Sequence, residues 1–281
     1  MSLALGASRH AFIDPRPGPL REIAVHTYRP ASFTRSSPVV MVIAGRKRNA
    51  GEYRDSWIAD ADRRGLLVVA PEFDEAQYEH PYAYNYGAMR GTDGRFAPPE
   101  RWVFPVIEAI FQDARQRARS ARDRYFLFGH SAGAQLVHRL VMFGGSLSYE
   151  KAIAGNAGSY TLPSMDEEFP FGLRGVPLAG DALASMFARP LVIHLGDRDV
   201  DSGDPQLPRE PGALRQGPHR FARGRHFLEV ARGEAQRIGA PFAWRGEIAP
   251  GVAHNGHQMA PFAARAFFDY PLRMQGDRED I

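Results

Sequence analysis

The 281 residues of this chain suit one large α/β unit or two small ones. With 44% hydrophobic and 24% charged residues a globular core is within reach, no apolar stretch is long enough to span a bilayer, and the lack of cysteine excludes disulfides, a thiol nucleophile and thiolate metal sites. The net charge of +3 comes from arginine, since only Lys47 and Lys151 are lysines, and the arginines are interleaved with acids, as in Arg115-Gln116-Arg117-Ala118-Arg119 followed by Arg122-Asp123-Arg124, which argues against a nucleic-acid surface.

Met1 to His10 lacks the charged start and long apolar region of a signal peptide. This predicts a cytoplasmic location, or a periplasmic or secreted one if a leader has been removed. Glu22 to Tyr28 alternates apolar and polar residues and reads as an early strand. Val39 to Ala44 is a continuous apolar run, too short for a helix and suited to a buried strand. A polar loop, Gly45 to Gly51, leads to a helical pattern from Tyr53 to Arg64 that Gly65 ends. Leu66 to Ala70 is the next buried strand, stopped by Pro71, and Phe73 to Pro99 is a long loop rich in Tyr, Gly and Pro. Arg101 to Ser120 is an amphipathic helix with Val103, Ile107, Ile110 and Phe111 on one face and Pro105 near its start. The strand Tyr125 to Phe128 precedes a helix from Ala134 to Phe143. Short strands follow at Lys151–Ala154 and Pro190–Leu195, then a helix from Phe221 to Ile238, a last strand from Phe242 to Ile248 and a last helix from Met259 to Phe268. Alternating strands and helices predict a mostly parallel central sheet with helices on both faces. With no internal repeat, low-complexity tract or linker, one domain over residues 1–281 is the simplest organisation.

Between the Tyr125 strand and the next helix stands Gly129-His130-Ser131-Ala132-Gly133, a G-x-S-x-G turn. This is the nucleophile elbow of α/β-hydrolases. Glycines flank the serine because side chains there would meet the strand and helix. The serine oxygen stands at a helix N-terminus, where free N–H groups favour a developing negative charge. A serine hydroxyl needs a base to take its proton and an acid to orient that base, in the order Ser, acid, His. Gly196-Asp197-Arg198-Asp199-Val200-Asp201 follows a late strand, and His254 and His257 follow the last one. Each gap leaves room for roughly one βαβ unit of about 30 residues or more. Asp199 is favoured over Asp201 and over Asp197, which follows the glycine and is placed to fix the turn. His254, after a short apolar segment, is favoured as base over His257, which opens the final helix and contacts substrate or caps it. His130 reads as packing in the elbow and His194 as a buried strand residue. No cysteine or nearby carboxylate completes a metal set with the two late histidines.

A tetrahedral intermediate needs at least two N–H donors for its oxyanion. The backbone of Ala132 supplies one, and the loop Ala44-Gly45-Arg46-Lys47-Arg48-Asn49 the other, with the Arg46 amide as candidate. Arg46 and Arg48 either hold a substrate carboxylate or are simply exposed. The Tyr82-Ala83-Tyr84-Asn85-Tyr86 run and the segment Asn156 to Tyr160 either line an acyl or aromatic pocket or pack as ordinary loops, with Tyr84 and Asn156 as candidate substrate contacts.

Together Ala44 to Ala50, Gly129 to Gly133, Gly155-Asn156-Ala157-Gly158, Gly196 to Asp199 and Pro250-Gly251-Val252-Ala253-His254 resemble the polyhydroxybutyrate depolymerase and feruloyl esterase branch of α/β-hydrolases, over about residues 20 to 270. The resemblance implies ester hydrolysis through an acyl-enzyme, with no metal or organic cofactor. The implied partner is a small-molecule or oligomeric ester, 3-hydroxybutyrate-type oligomers and feruloyl esters among them. The signal peptide, disulfides and surface-binding module common in secreted polymer-degrading members are not seen here, which favours a small soluble ester. A peptidase or acyltransferase on the same triad, and a non-catalytic binding protein on this fold, remain as alternatives.

Overall fold

A computed structural model describes residues 2–145, 147–178 and 180–269. Its centre is an eight-stranded sheet of order β1-β2-β4-β3-β5-β6-β7-β8. The strands are β1 (Gly6–Ile13), β2 (Glu22–Arg29), β3 (Val39–Ile43), β4 (Leu67–Glu72), β5 (Tyr125–His130), β6 (Tyr149–Gly155), β7 (Leu191–Gly196) and β8 (Trp244–Ala249). The pairs β1·β2 and β2·β4 are antiparallel, and every other pair is parallel. Loops leaving the C-terminal ends of the parallel strands therefore gather at one edge, where open α/β sheets carry their ligands.

Period-2 alternation splits the core in two. From β3, Val39, Met41 and Ile43 enter one cluster and Val40 and Val42 the other. Tyr125 and Leu127 of β5 follow the first set, Phe126 and Phe128 the second. The first face is covered by α4 (Phe104–Ala118), α5 (Ala132–Phe143) and α8 (Arg220–Arg237). The second is covered by α1 (Ala50–Asp55), α2 (Ile58–Arg64) and α9 (Gly256–Phe268). Burial on both faces explains why the central strands read as unbroken apolar runs. The shorter helices α3 (His80–Ala83), α6 (Ala182–Phe187) and α7 (Pro211–Leu214) lie in the connections after β4, β6 and β7.

Among the differences from the sequence reading, three concern the sheet and the helices packed on it. The strand β1 was not anticipated: its residues alternate between exposed and half-buried, so no apolar run marks it. The pattern from Tyr53 to Arg64 is two helices, α1 and α2, broken at Ser56-Trp57, with Gly65 ending the second in the left-handed conformation. Pro71 lies inside β4 and does not stop it. The β3 pairing ends at Val69, so Pro71 meets only β2 and its missing N–H costs no bond on the other side.

The elbow depends on a bare backbone contact. A Cβ on Gly133 would run into the carbonyl oxygens of Ile43 and Ala44, and one on Gly129 into the carbonyl of Gly133. Gly133→Ala is therefore expected to lower stability by about 3 kcal/mol, by forcing α5 off β3. Urea unfolding compared with wild type measures this, and an unchanged midpoint would contradict the contact.

Candidate active site

Ser131 joins β5 to α5 with φ 57° and ψ −115°, a region that a non-glycine residue occupies only under constraint. The constraint is visible. Its amide donates to the Gly155 carbonyl at 2.9 Å, and its carbonyl accepts from the Gln135 amide at 3.1 Å. The hydroxyl is thereby held clear of the sheet.

His254 Nε2 lies 3.0 Å from Ser131 Oγ, and His254 Nδ1 lies 2.7 Å from Asp199 Oδ2. The three residues singled out in the sequence thus form one hydrogen-bonded row contributed by the turns after β5, β7 and β8. The neighbouring aspartates have other partners: Asp197 accepts from the Gly251 amide at 2.7 Å and Asp201 from the Gly203 amide at 2.8 Å. Asp199 is only 2% exposed and faces Arg220, equally buried, at 3.5 Å. Arg220 also reaches Asp204 at 2.6 Å. Nothing in the sequence pattern announced Arg220, because a single cation at the start of a helix has no periodic signature.

His130 is buried beside this row, its ring 4.7 Å from that of His254. Its Nδ1 shares a 2.9 Å hydrogen bond with Tyr53 Oη. Burial, and then the nearby His254, Arg220 and His257, hold its pKa well below the usual imidazole value, so it is neutral at ordinary pH. Burial likewise pushes the Tyr53 hydroxyl up to about 12, against a backbone hydrogen bond from Gly45. Tyr53 therefore bridges the elbow and the loop after β3, a role that its place in a helical pattern concealed.

That loop lies close to the serine: a Cβ on Gly45 would stand 3.5 Å from Ser131 Cβ. Ala132 opens α5, so its amide has no partner within the helix. The Arg46 and Lys47 side chains are exposed. Arg48 fits neither of the two readings given to it. It is 7% exposed, donates to the Phe73 carbonyl at 2.8 Å and lies 3.7 Å over the Tyr84 ring.

Two expected substrate contacts turn out to be internal braces. Tyr84 is buried and donates to the Ala44 carbonyl at 2.6 Å, fixing the loop from behind. Asn156, with no exposed surface, accepts from the Gly196 amide at 2.8 Å and donates to the Ala253 carbonyl at 3.3 Å, tying the Asp199 and His254 turns together. Tyr and Asn are as common in such braces as in pockets, so residue type alone misled. His257 is exposed on the first turn of α9, its ring 6.1 Å from Tyr53. The cap of that helix is Asn255, whose side chain accepts from the Gln258 amide.

A mostly parallel sheet of this strand order, with a serine at the turn from β5 to α5 and an acid and a histidine after β7 and β8, defines an α/β-hydrolase. No protein-family profile and no curated protein matches the chain. Among solved structures it is similar to poly(aspartic acid) hydrolase-1 from Sphingomonas sp. KT-1, with 36% identity over 94% of this chain and 98% of that one and a TM-score of 0.89. It is also similar to LpqC, a poly(3-hydroxybutyrate) depolymerase from Bordetella parapertussis, with 37% identity over 98% and 93% and a TM-score of 0.88. An S-formylglutathione hydrolase from Agrobacterium tumefaciens shares the fold at 16% identity over 95% of each chain, with a TM-score of 0.55. The chain belongs to the polyhydroxybutyrate depolymerase-like branch of the α/β-hydrolases.

Three buried histidines set an acid limit on stability. Burial lowers His130 and His138 well below the ordinary value and His194 to about 4. Folded, they stay neutral; unfolded, each binds a proton below about pH 6.5. Stability is therefore level above that pH and falls as pH drops below it. Each group contributes about 1.4 kcal/mol per pH unit until its own folded pKa is reached. Urea unfolding between pH 7.5 and 5 should show this slope, and His194→Gln should reduce it by about one proton's worth. An unchanged slope would contradict the assignment.

Proposed function

We propose that this chain is a serine hydrolase that cleaves carboxylic esters through an acyl-enzyme. The observation that supports it most is the row Ser131–His254–Asp199, with both hydrogen bonds at 3.0 Å or less. In this reading Ser131 Oγ attacks the ester carbonyl while His254 Nε2 takes its proton. The backbone amides of Ala132 and Arg46 donate hydrogen bonds to the tetrahedral oxyanion. The intermediate collapses, His254 returns the proton to the leaving alcohol, and the acyl group remains on Ser131. A water molecule, deprotonated by His254, then attacks the acyl-enzyme and releases the acid. Asp199 keeps the imidazole in the tautomer with Nδ1 protonated and steadies it when charged. No described helix is long and apolar enough to cross a membrane, and the substrate class is a small or oligomeric ester.

Amide hydrolysis by the same residues is the second reading. Its support is the 36% identity to a poly(aspartic acid) hydrolase, together with the exposed Arg46 and Lys47 beside the serine.

Purified Ser131→Ala, assayed on p-nitrophenyl acetate, is expected to lose roughly 10⁴-fold or more in kcat/KM. Asp199→Asn should lose on the order of 10⁴-fold in kcat, through the wrong histidine tautomer. Wild-type rates in Ser131→Ala would sink the mechanism. Turnover of oligomeric aspartate with none of the ester would select the second reading.

A further inference from the structure

The loop that carries the Arg46 amide is gripped at a single peptide unit. Its carbonyl oxygen, on Ala44, accepts from Tyr84 Oη at 2.6 Å. Its N–H, on Gly45, is directed to Tyr53 Oη. A Cβ on Gly45 would stand 2.7 Å from that oxygen, and the amide's hydrogen bond opposes the effect of burial on the Tyr53 hydroxyl. A peptide unit is planar and trans, so its C=O and N–H point opposite ways. Two hydroxyls on opposite sides therefore fix its rotation.

The next unit follows from the first. The Gly45 carbonyl accepts from the Arg48 amide at 3.1 Å, closing a four-residue turn. The N–H of that same unit belongs to Arg46 and points away from the turn. Among the described residues no backbone carbonyl accepts from it. Arg48 backs the arrangement with its side chain, which lies 3.7 Å over the Tyr84 ring and donates to the Phe73 carbonyl at 2.8 Å.

Both tyrosines are registered to the elbow. Tyr53 Oη shares its 2.9 Å hydrogen bond with Nδ1 of His130, the residue before Ser131. Asn85, next to Tyr84, is tied to α5. Its carbonyl accepts from the buried Arg139 at 3.0 Å, and its Nδ2 donates to Gln135 at 2.8 Å. The same helix begins at Ala132, whose amide is the other oxyanion donor in the proposed reaction.

We infer that Tyr53 and Tyr84 are positioning residues that aim the Arg46 amide at the oxyanion, by holding the Ala44–Gly45 peptide between their hydroxyls. At 8% and 1% exposure they act through the backbone and not on substrate. The inference deepens the ester-hydrolase reading and rests on it for the identity of the oxyanion.

Tyr53→Phe and Tyr84→Phe each remove one hydroxyl and keep the ring. On p-nitrophenyl acetate, kcat should fall about 10- to 100-fold in each, with KM within about twofold of wild type. The inhibition constant of 1,1,1-trifluorobutan-2-one, whose serine adduct carries the oxyanion, should rise by the factor that kcat loses. The pH midpoint of kcat should stay in place in Tyr53→Phe. A displaced midpoint with unchanged ketone inhibition would route the effect through His130 and overturn the inference. Because both hydroxyls act on one peptide, the double variant should lose clearly less than the product of the two single losses. A product-sized loss, or wild-type kcat and inhibition in either single variant, would also overturn it. Hydrogen–deuterium exchange of the Gly45 amide reads the grip without chemistry, and Tyr53→Phe should speed it at least tenfold. An enzyme inert towards the ester, with Gly45 exchange slow in wild type and fast in the variant, would reject the reaction and keep the grip. Equal exchange in the two would reject the grip whatever the reaction.

Discussion

Backbone meets backbone where the first turn of α5 crosses the end of β3. Because no side chain separates Gly133 from the Ile43 and Ala44 carbonyls, the helix starts directly on the sheet. The chain must then reverse between His130 and Ala132, and the residue at the bend takes a positive φ. Such a conformation costs on the order of 1–3 kcal/mol in isolation. It is held here by the Gly155 carbonyl on one side and the first turn of α5 on the other, with β5 buried along its whole length. The same contact sets the distance from Ser131 to the loop after β3, since the carbonyls that Gly133 touches are the last before Gly45. Strained serine, anion-facing helix end and neighbouring loop thus follow from one close approach.

The buried Asp199 carboxylate is set between a cation and an imidazole. Asp199 has almost no contact with solvent, and a polar group buried so deeply needs partners. Arg220 compensates it, yet sits nearer to Asp204, at 2.6 Å against 3.5 Å. The tightest partner of Asp199 is consequently His254, at 2.7 Å. The shared cation faces the carboxylate without pulling it away from the imidazole. On the other side of His254 stands a neutral imidazole, His130, tied to Tyr53. A positive charge on His130 is opposed by burial and by the neighbouring His254, Arg220 and His257.

Much of the fold and of the candidate site was legible in the sequence, for reasons that differ by residue. The buried central strands have both faces covered, so their apolar runs show directly. The elbow was legible because its glycines are demanded by sterics over five consecutive residues, and the placement of Asp199 and His254 because the α/β-hydrolase pattern puts an acid and a histidine after particular strands in a particular order. The edge strand β1, half exposed, carries no such signal. Tyr84, Asn156 and Arg48 show the limit more sharply. A tyrosine, an asparagine or an arginine in a loop after a strand is equally suited to touching a ligand and to satisfying a buried carbonyl. Only the position of Ala44, Gly196 or Phe73 in space decides between them. Arg139 and Arg220 were missed for the related reason that a buried cation is defined by partners far away in sequence.

Loops usually carry binding residues because they vary easily, and they move for the same reason. Here the segments after β4 and β6 are prevented from moving independently. Arg139 reaches them with three hydrogen bonds and belongs to α5, at whose start Ser131 stands. Burying a guanidinium is justified on this view by the registry that it imposes, the best-attested use of a buried charge.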